Sequence, residues 1–343
     1  MQQPHFHTVC PFHTGAFGMD KPLEPDAYRR VLAEHVAIAE ANGIEGMIIY
    51  NFATSLDSLS IASAILSAGR SLRPIVAVSP FHIHPFALAR TAASLAYLHG
   101  RGIDLNLVKG ATEDEQAAVG EAGRPLSGHY ARMAEFLDIL NALFNDGACD
   151  LAGDFYTLKR AALHPPLAAG TRPLLFVPGS SPEAANVIAG RASSSLLMAK
   201  PLDAQRQEIA RLAVASPGLR QTIIIGICAR PTDEEAWEAA GRLYAGNRRE
   251  AMNARMFVNR AISFQHRSNA AFAAEQELFD DALWYGGAKI GIDCPKLVGS
   301  YERVAESLAA YVALGVTDII IDLPPTLEEY PHAFRAIAPL RTK

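Results

Sequence analysis

Short apolar runs alternate with amphipathic segments along most of the chain. The apolar runs predict eight strands, at 5–12, 44–52, 73–81, 103–110, 172–179, 193–200, 220–230 and 316–325. Apolar residues at helical spacing predict helices at 25–43, 58–69, 84–100, 129–144, 181–190, 203–216, 232–246, 300–315 and 326–340. The strands are too apolar to alternate, so helices must cover both faces of their sheet. Eight strand–helix units predict an α/β fold, a (β/α)8 TIM-like barrel.

Three segments do not fit this alternation of predicted strands and helices. Residues 111–128 are polar, 147–165 can form a short hairpin, and 247–290 are rich in Asn, Arg and Phe, which we interpret as a helical excursion. A plain barrel needs roughly 250 residues, whereas this chain has 343. We therefore interpret residues 1–343 as one barrel domain whose surplus length lies in these three insertions.

Composition narrows the function classes. Half of the residues are hydrophobic, 20% are charged and the formal net charge is −5, which argues against a disordered chain and against a basic nucleic-acid surface. No signal peptide or run of membrane-spanning length is visible. The four cysteines form no CxxC pair, so we expect reduced thiols, a cytoplasmic location, and no membrane or nucleic-acid partner.

In such a barrel the active site lies at the C-terminal ends of the strands. The predicted ends of the first three strands carry Cys10, His13, Asn51 and His82, which are our candidate catalytic residues. Other polar residues at strand ends are Tyr50, Ser79, Asn106, Lys109, Cys228, Arg230 and Asp322. An ordinary loop or capping role is the alternative for each of them.

The sharpest local pattern is FVPGSSPEAANVIAG, where a strand runs into Gly179, Ser180 and Ser181 before a helix. Free N–H groups at a helix start, together with hydroxyls, favour a phosphate. An ordinary Ser N-cap followed by Pro182 fits the same residues.

A metal site is a weaker alternative. His5 and His7 form a His-x-His pair, and Asp322 is the one supporting carboxylate. The pair lies early in its strand, so structural histidines are favoured, and we predict no metal. The chain has no GxGxxG, P-loop or nucleophile-elbow motif.

The segment VAVSPFHIHPFALARTAASLAYLHGRGIDLNLVKG (76–110) resembles the bacterial luciferase-like flavin monooxygenases, and most closely their alkanesulfonate monooxygenase branch. The resemblance continues in HYARMAEFLDIL, PLLFVPGSSPEAA, TDEEAW and AAYVALGVTDIIIDLPPTLEEYPHAFRAIAPL. It covers most of the chain outside 111–128 and 247–290, and it implies that 247–290 is a lid, because this segment matches a loop that in the family closes over the site.

This resemblance implies a TIM-like barrel that uses reduced FMN (FMNH2) from a separate NAD(P)H:flavin reductase. O2 is the co-substrate, a peroxyflavin oxygenates a small organic substrate, and a homodimer or homotetramer is expected. It places the flavin ring over Ala77, Val78 and Ser79, and the phosphate near Lys109, Gly179, Ser180 and Ser181. The resulting cofactor-binding candidates are Ala77, Val78, Ser79, Asn106, Lys109, Tyr130, Gly179, Ser180 and Ser181.

The chain departs from the alkanesulfonate branch on the substrate side. An Arg-x-His pair of that branch falls on Ile224 and Gly226, and a Tyr falls on Pro324. Without those cations an alkanesulfonate is disfavoured as substrate. Three alternatives stay open: a deazaflavin-dependent oxidoreductase on the same barrel, a metal-dependent barrel hydrolase, and a flavin-binding protein without catalysis.

Overall fold

Parallel strands form the centre of the computed structural model, which describes residues 3–14, 21–52, 55–109, 113–121, 126–179, 181–245, 264–292 and 294–341. In chain order the strands are β1 (His5–Val9), β2 (Gly46–Ile49), β3 (Arg73–Val78), β4 (Asp104–Leu107), β5 (Ala148–Ala152), β6 (Thr157–Ala162), β7 (Leu175–Pro178), β8 (Ser194–Met198), β9 (Arg220–Arg230), β10 (Leu278–Phe279), β11 (Leu283–Trp284), β12 (Lys296–Ser300) and β13 (Asp318–Ile321).

Eight of these strands close into a barrel. The order around it is β9, β13, β1, β2, β3, β4, β7 and β8, every neighbouring pair is parallel, and β8 pairs with β9 to complete the circle. The TIM-like (β/α)8 barrel predicted from the apolar runs is confirmed, and its eight strands lie within the eight predicted runs.

Helices cover the outside of the barrel. They are α1 (Pro25–Ala41), α2 (Ser58–Ala68), α3 (Pro85–His99), α4 (Glu113–Ala118), α5 (Leu126–Asp146), α6 (Pro182–Ile188), α7 (Leu202–Ala215), α8 (Asp233–Leu243), α9 (Phe264–Glu275), α10 (Tyr301–Ala313) and α11 (Tyr330–Ile337). Side-chain caps fix several helix starts; the Asp57 carboxylate, for example, accepts from the Ser60 N–H at 2.8 Å. Within the described ranges, no helix combines the length and apolar character needed to cross a membrane.

The hairpin expected within 147–165 is present as the antiparallel pair β5 and β6. The Glu135 carboxylate anchors its turn by accepting the backbone N–H groups of residues 154–156 at 2.6 to 3.3 Å. A side chain on Gly153 would collide with that carboxylate, which explains the glycine at this position.

The helical interpretation of 247–290 is only partly correct. Residues 264–275 are helical, but 278–284 form the two short strands β10 and β11, and 246–263 lie outside the described residues. These strands and the unpredicted β12 extend from the C-terminal half of β9. Two-residue strands are too short to show a period of two. Main-chain pairing of β10 with β11, and of β11 with β12, defines them instead.

The barrel interior is layered. At its N-terminal end lies a charged layer, in which Asp318 pairs with His7 at 3.0 Å and with Arg220, while Arg73 donates to Asp104 at 2.8 Å. One step further along the strands is an apolar layer of Val9, Ile48, Ile75, Phe176, Leu196, Ile224 and Ile320. These layers fill the base and middle of the barrel, so chemistry is left to its C-terminal mouth.

Candidate active site

An aromatic wall of Phe12, Tyr50 and Phe52 lines the mouth beyond β1 and β2. The rings of Phe12 and Tyr50 are stacked, with centroids 5.9 Å apart and planes at 16°, and Phe52 lies 6.1 and 5.6 Å from them. Phe12 and Tyr50 pack on the apolar layer beneath. The wall offers flat apolar surfaces against which a planar ring or a hydrocarbon group can pack.

Three of the predicted catalytic residues lie on consecutive strand ends. His13 follows β1, Asn51 follows β2 and His82 follows β3. His13 and Asn51 are half-buried, and the His13 ring meets Tyr28 edge-on at 6.2 Å. His82 is exposed, and its backbone N–H donates to the Ser79 carbonyl at 3.0 Å. The structure thus places these side chains on one arc of the mouth.

Cys10, the fourth predicted catalytic residue, belongs to the apolar cluster that packs against the helices. Its thiol lies 4.0 Å from the Tyr28 hydroxyl on α1. Burial raises the pKa of Cys10 to about 12, and the hydrogen bond with Tyr28 offsets only part of that effect. At neutral pH Cys10 is therefore a protonated thiol and a poor nucleophile.

The end of β3 is held rigidly. Ala77, Val78 and Ser79 are all buried. The Ser58 hydroxyl donates to the Ala77 carbonyl at 2.8 Å, the Val108 N–H donates to the Val78 carbonyl at 2.9 Å, and the Ser79 hydroxyl accepts from the Phe81 N–H at 3.3 Å. This stretch therefore presents a fixed surface to anything bound in the mouth.

Asn106 contributes a buried acceptor. It lies on β4, alternates with the outward-facing Leu105 and Leu107, and is 3% exposed. Its Oδ1 atom has no hydrogen-bond partner within the described part of the chain. Buried polar atoms in proteins are nearly always paired, so Asn106 fits a ligand that brings an N–H group into the barrel.

The predicted phosphate residues come together between β4 and β7. The Lys109 ammonium lies 4.8 Å from the centre of the Tyr130 ring, and the Tyr130 hydroxyl is 3.2 Å from the Ser181 hydroxyl. Ser181 also caps α6, accepting from the Ala184 N–H at 3.2 Å. Gly179 has φ +124°, which favours glycine at this turn. Ser180 lies outside the described residues.

A carboxylate shares this corner. Glu183 is exposed, and its pKa is lowered by a hydrogen bond with its own backbone N–H, by Ser181 and by the charge of Lys109. Its interaction with Lys109 is a surface interaction between mobile groups, which a bound anion can replace at small cost.

Parts of all three insertions border the mouth. The Tyr156 hydroxyl of β5–β6 donates to the Pro80 carbonyl at 3.0 Å, and Arg132 links that hydroxyl, at 2.9 Å, to Glu121, at 3.0 Å. On the opposite side, Asn269 of α9 donates to the Met198 sulfur at the end of β8 at 2.7 Å. The long connections thus lie where they can shape access to the site.

Across the mouth, a buried ion pair joins β12 to the end of β13. The Lys296 ammonium donates to the Asp322 carboxylate and lies 5.9 Å from the Tyr244 ring centre. Lys296 pairs in register with Gly226. Lys296 is not among the site residues predicted from the sequence, because β12 was not predicted. The available signal is a lysine that opens the short apolar run 296–298.

The residues of the metal alternative do not converge. His5 pairs with Glu45 at 2.8 Å, His7 pairs with Asp318 at the barrel base, and Asp322 pairs with Lys296 at the mouth. Across the ranges that the structure describes, no group of three or more His, Cys, Asp and Glu side chains is arranged to hold a metal ion.

Fold and site together define an α/β-barrel enzyme with a polar corner, a buried acceptor and an aromatic wall around one mouth. A family model described as luciferase-like monooxygenase matches residues 4–318. The chain belongs to this family, and the expectation of a luciferase-like monooxygenase is confirmed at the level of family and enzyme class. The alkanesulfonate branch within the family stays a prediction.

Individual relatives agree with this assignment. The chain is 31% identical over 301 residues, 87% of each protein, to the 4-(gamma-L-glutamylamino)butanoyl-[BtrI acyl-carrier protein] monooxygenase of Niallia circulans. The fold is similar to that of the EDTA monooxygenase from Chelativorans sp. BNC1, with TM-score 0.80, 15% identity and coverage of 99% and 94%. It is also similar to the oxygenating constituent of 3,6-diketocamphane monooxygenase from Pseudomonas putida in complex with FMN, with TM-score 0.70, 16% identity and coverage of 99% and 97%.

Proposed function

We propose that the protein is a reduced-FMN- and O2-dependent monooxygenase of a small organic substrate, and that a separate NAD(P)H:flavin reductase in the cytoplasm supplies its FMNH2. The observation that carries the proposal is the convergence of Lys109, Tyr130 and Ser181 beside Gly179, on the same mouth as the unpartnered Asn106 oxygen. One corner suits a phosphate, and the interior suits a planar ring with N–H groups.

Each residue has a distinct task in this proposal. Lys109 supplies the charge opposite the phosphate, while the hydroxyls of Tyr130 and Ser181 donate hydrogen bonds to it. The Asn106 oxygen accepts from an N–H of the ring, and the rigid segment 77–79 forms the surface on which the ring lies. Reduced FMN, when bound, supplies the electrons that activate O2.

The other residues around the mouth orient the substrate and exclude water. The aromatic wall keeps one side of the site apolar. The described part of the predicted lid, residues 264–290, contacts the end of β8 through Asn269, and we assign it to excluding water. His13, Asn51 and His82 lie within reach of the mouth and are our candidates for moving or holding a proton. Cys10 acts on His13 indirectly, since its neutral thiol packs against Tyr28, which in turn contacts His13.

The two positions at which the alkanesulfonate branch carries an Arg-x-His pair have no cation in this chain. Ile224 faces the apolar layer, and Gly226 carries no side chain. The Niallia circulans relative is named for an aminoacyl group on a carrier protein, and we extend to this chain only the coarser class, a small organic compound with polar nitrogen. A homodimer or homotetramer belongs to the same proposal and is checked by light scattering.

Flavin titration tests the proposal. We expect reduced FMN to bind more tightly than oxidised FMN under anaerobic conditions, and oxygen to be consumed from NADH only when a flavin reductase is present. Absence of flavin binding at concentrations on the order of tens of micromolar would refute both the enzyme and a non-catalytic flavin carrier. Tighter binding of a deazaflavin than of FMN would favour the hydride-transfer alternative.

Lys109→Met isolates the phosphate corner. Losing one charge-assisted contact should weaken FMN binding about tenfold or more, whereas riboflavin, which lacks the phosphate, should bind the variant as it binds the wild type. Lys159→Met, on the exposed hairpin, is the matched control. Equal losses for FMN and riboflavin, or no loss for FMN, would remove Lys109 from the phosphate site.

A further inference from the structure

The Lys296–Asp322 pair faces the inside of the barrel mouth. Asp322 follows the last residue of β13, two positions after the inward-facing Ile320, and its N–H donates to the Ile225 carbonyl at 2.9 Å. Lys296 lies beside Gly226, two positions after the inward-facing Ile224. Both charged groups therefore continue the inward-facing rows of β9 and β13, just before the point where the next residues of that face, Cys228 and Val298, pack against α8.

Gly226 makes room for the lysine. A Cβ atom at this position would overlap the Lys296 Cδ atom and come within 2.7 Å of its Nζ. The aliphatic part of Lys296 thus lies where a side chain of β9 would otherwise point inward. A cation from the added strand β12 occupies this space, and a carboxylate accompanies it.

The two partners differ in how far they are exposed. The Lys296 side chain is 3% exposed and the Asp322 side chain 16%. Burial alone would lower the pKa of Lys296, but the charge of Asp322 outweighs it and raises that pKa. A ligand in the mouth therefore meets a carboxylate oxygen, and the ammonium behind it serves as a fixed counter-ion.

A buried ion pair such as this one is weak evidence for stability on its own. Removing two charges from water is expensive, and replacing a buried ion pair with apolar residues is often neutral or stabilising. The neighbouring interior positions are apolar, with Ile224, Ile320 and Leu323 next to the pair. A charged pair kept among such residues, at the end of the barrel where substrates bind, is typical of a recognition site.

We propose that Asp322 is a substrate-binding residue, which accepts hydrogen bonds from an ammonium or amide N–H group of the substrate, with Lys296 as its positioning counter-ion. This inference rests on the proposed monooxygenase and specifies its substrate class, a small amine or amide. A sulfonate does not fit this arrangement, because its negatively charged oxygens would meet the Asp322 carboxylate before they reach the Lys296 ammonium. The substrate's hydrocarbon part packs on the aromatic wall beyond the adjacent β1 and β2.

Matched four-carbon ligands test the proposal on the full chain. We would measure binding of butylammonium, butanamide and butanesulfonate by calorimetry or ligand-observed NMR, both anaerobically with reduced FMN and without flavin. At least one nitrogen ligand should bind about tenfold or more tightly than butanesulfonate, as expected for a hydrogen bond to a charged acceptor. Equal binding, preference for the sulfonate, or binding of none of the three would overturn the inference.

Substitutions at Asp322 and Lys296 test whether this pair causes the preference for a nitrogen ligand. Asp322→Asn should reduce the affinity for the nitrogen ligand about tenfold, Asp322→Glu should retain much of it, and the affinity for reduced FMN should not change in either. Because Asp322→Asn leaves Lys296 buried without its counter-ion, the double variant Lys296→Met/Asp322→Asn removes both charges and is measured beside it. Asp138→Asn, in an ion pair with Arg191 outside the barrel, is the control.

The role of Asp322 and the monooxygenase function can be refuted independently of each other. Unchanged affinity for the nitrogen ligand in Asp322→Asn and in the double variant would refute the role of Asp322 while leaving flavin binding intact. Absence of flavin binding would refute the monooxygenase, and the ligand preference measured on the flavin-free protein would still decide the chemistry of the pair.

Discussion

Asp318→Asn tests how strongly the charged layer stabilises the barrel base. The Asp318 carboxylate accepts from Thr317 Oγ1 at 2.7 Å and from Arg220 Nε at 3.0 Å, and it pairs with His7 at 3.0 Å. Burial alone would raise its pKa, but His7 and Arg220 together lower that pKa from 3.8 to about 2. At about 1.36 kcal/mol per pKa unit, the ionised form stabilises the folded protein by about 2 kcal/mol.

The sign of the pH dependence follows from the lowered pKa. This stabilisation is complete above the unfolded pKa of about 4, and it is lost as the pH falls toward about 2. The variant should therefore be less stable than the wild type by at least about 2 kcal/mol at neutral pH, and this difference should shrink by about 1 kcal/mol at about pH 3. The layer lies far from the mouth, so flavin affinity should be unchanged.

Urea unfolding followed by circular dichroism measures both quantities, with Asp138→Asn as the control on an exposed ion pair. A difference between wild type and variant that is the same at neutral and acidic pH would show that Asp318 titrates alike in the folded and unfolded chains. That result would refute the electrostatic reasoning, even if the variant is less stable at neutral pH.

Two further substitutions test neighbouring features. Asp104 lies in the same charged layer, but burial outweighs the Arg73 interaction and raises its pKa. The contribution of Asp104 to the stability of the folded protein is therefore lost as the pH rises. The effect of Asp104→Asn on stability in urea should change with pH in the opposite sense to that of Asp318→Asn. Gly226→Ala should destabilise the protein by about 1–3 kcal/mol, because the new methyl group displaces Lys296. The control is Gly241→Ala on α8, where nothing lies within 4 Å of the new group, and it should be neutral or slightly stabilising. Equal melting temperatures of the two variants would contradict the packing argument.

The sequence predicts the barrel well because its strands are buried on both faces. Runs such as Ile223–Ile225 and Ile319–Ile321 must be covered by helices. Because such runs alternate with amphipathic segments along the chain, few folds other than an α/β barrel fit the sequence. The position of the proposed phosphate corner is predictable from the sequence for a related reason. Lys109 and Ser181 both follow barrel strands, and the ends of parallel strands meet at one face.

The substrate side is harder to predict from sequence. β10 and β11 have two residues each, so no periodicity marks them, and β12 depends on pairing with the far half of β9. Asp322 was visible as a strand-end residue, but its lysine partner was not, because nothing local shows that Gly226 leaves space for a side chain 70 positions later in the chain. Contacts of this kind are defined by tertiary packing alone.

The length of β9 has an evolutionary consequence. Its first half belongs to the barrel, and its second half carries β12 with β11 and β10 as an appended sheet. The described residues of the proposed flavin site come from 77–181, whereas the charged pair and the residues that contact it come from 226–322. On the two proposals made above, sequence change in the appended sheet exchanges one substrate for another without disturbing cofactor affinity. Grafting the 264–300 segment between relatives, together with the residues at positions 226 and 322, is the corresponding route to altered specificity.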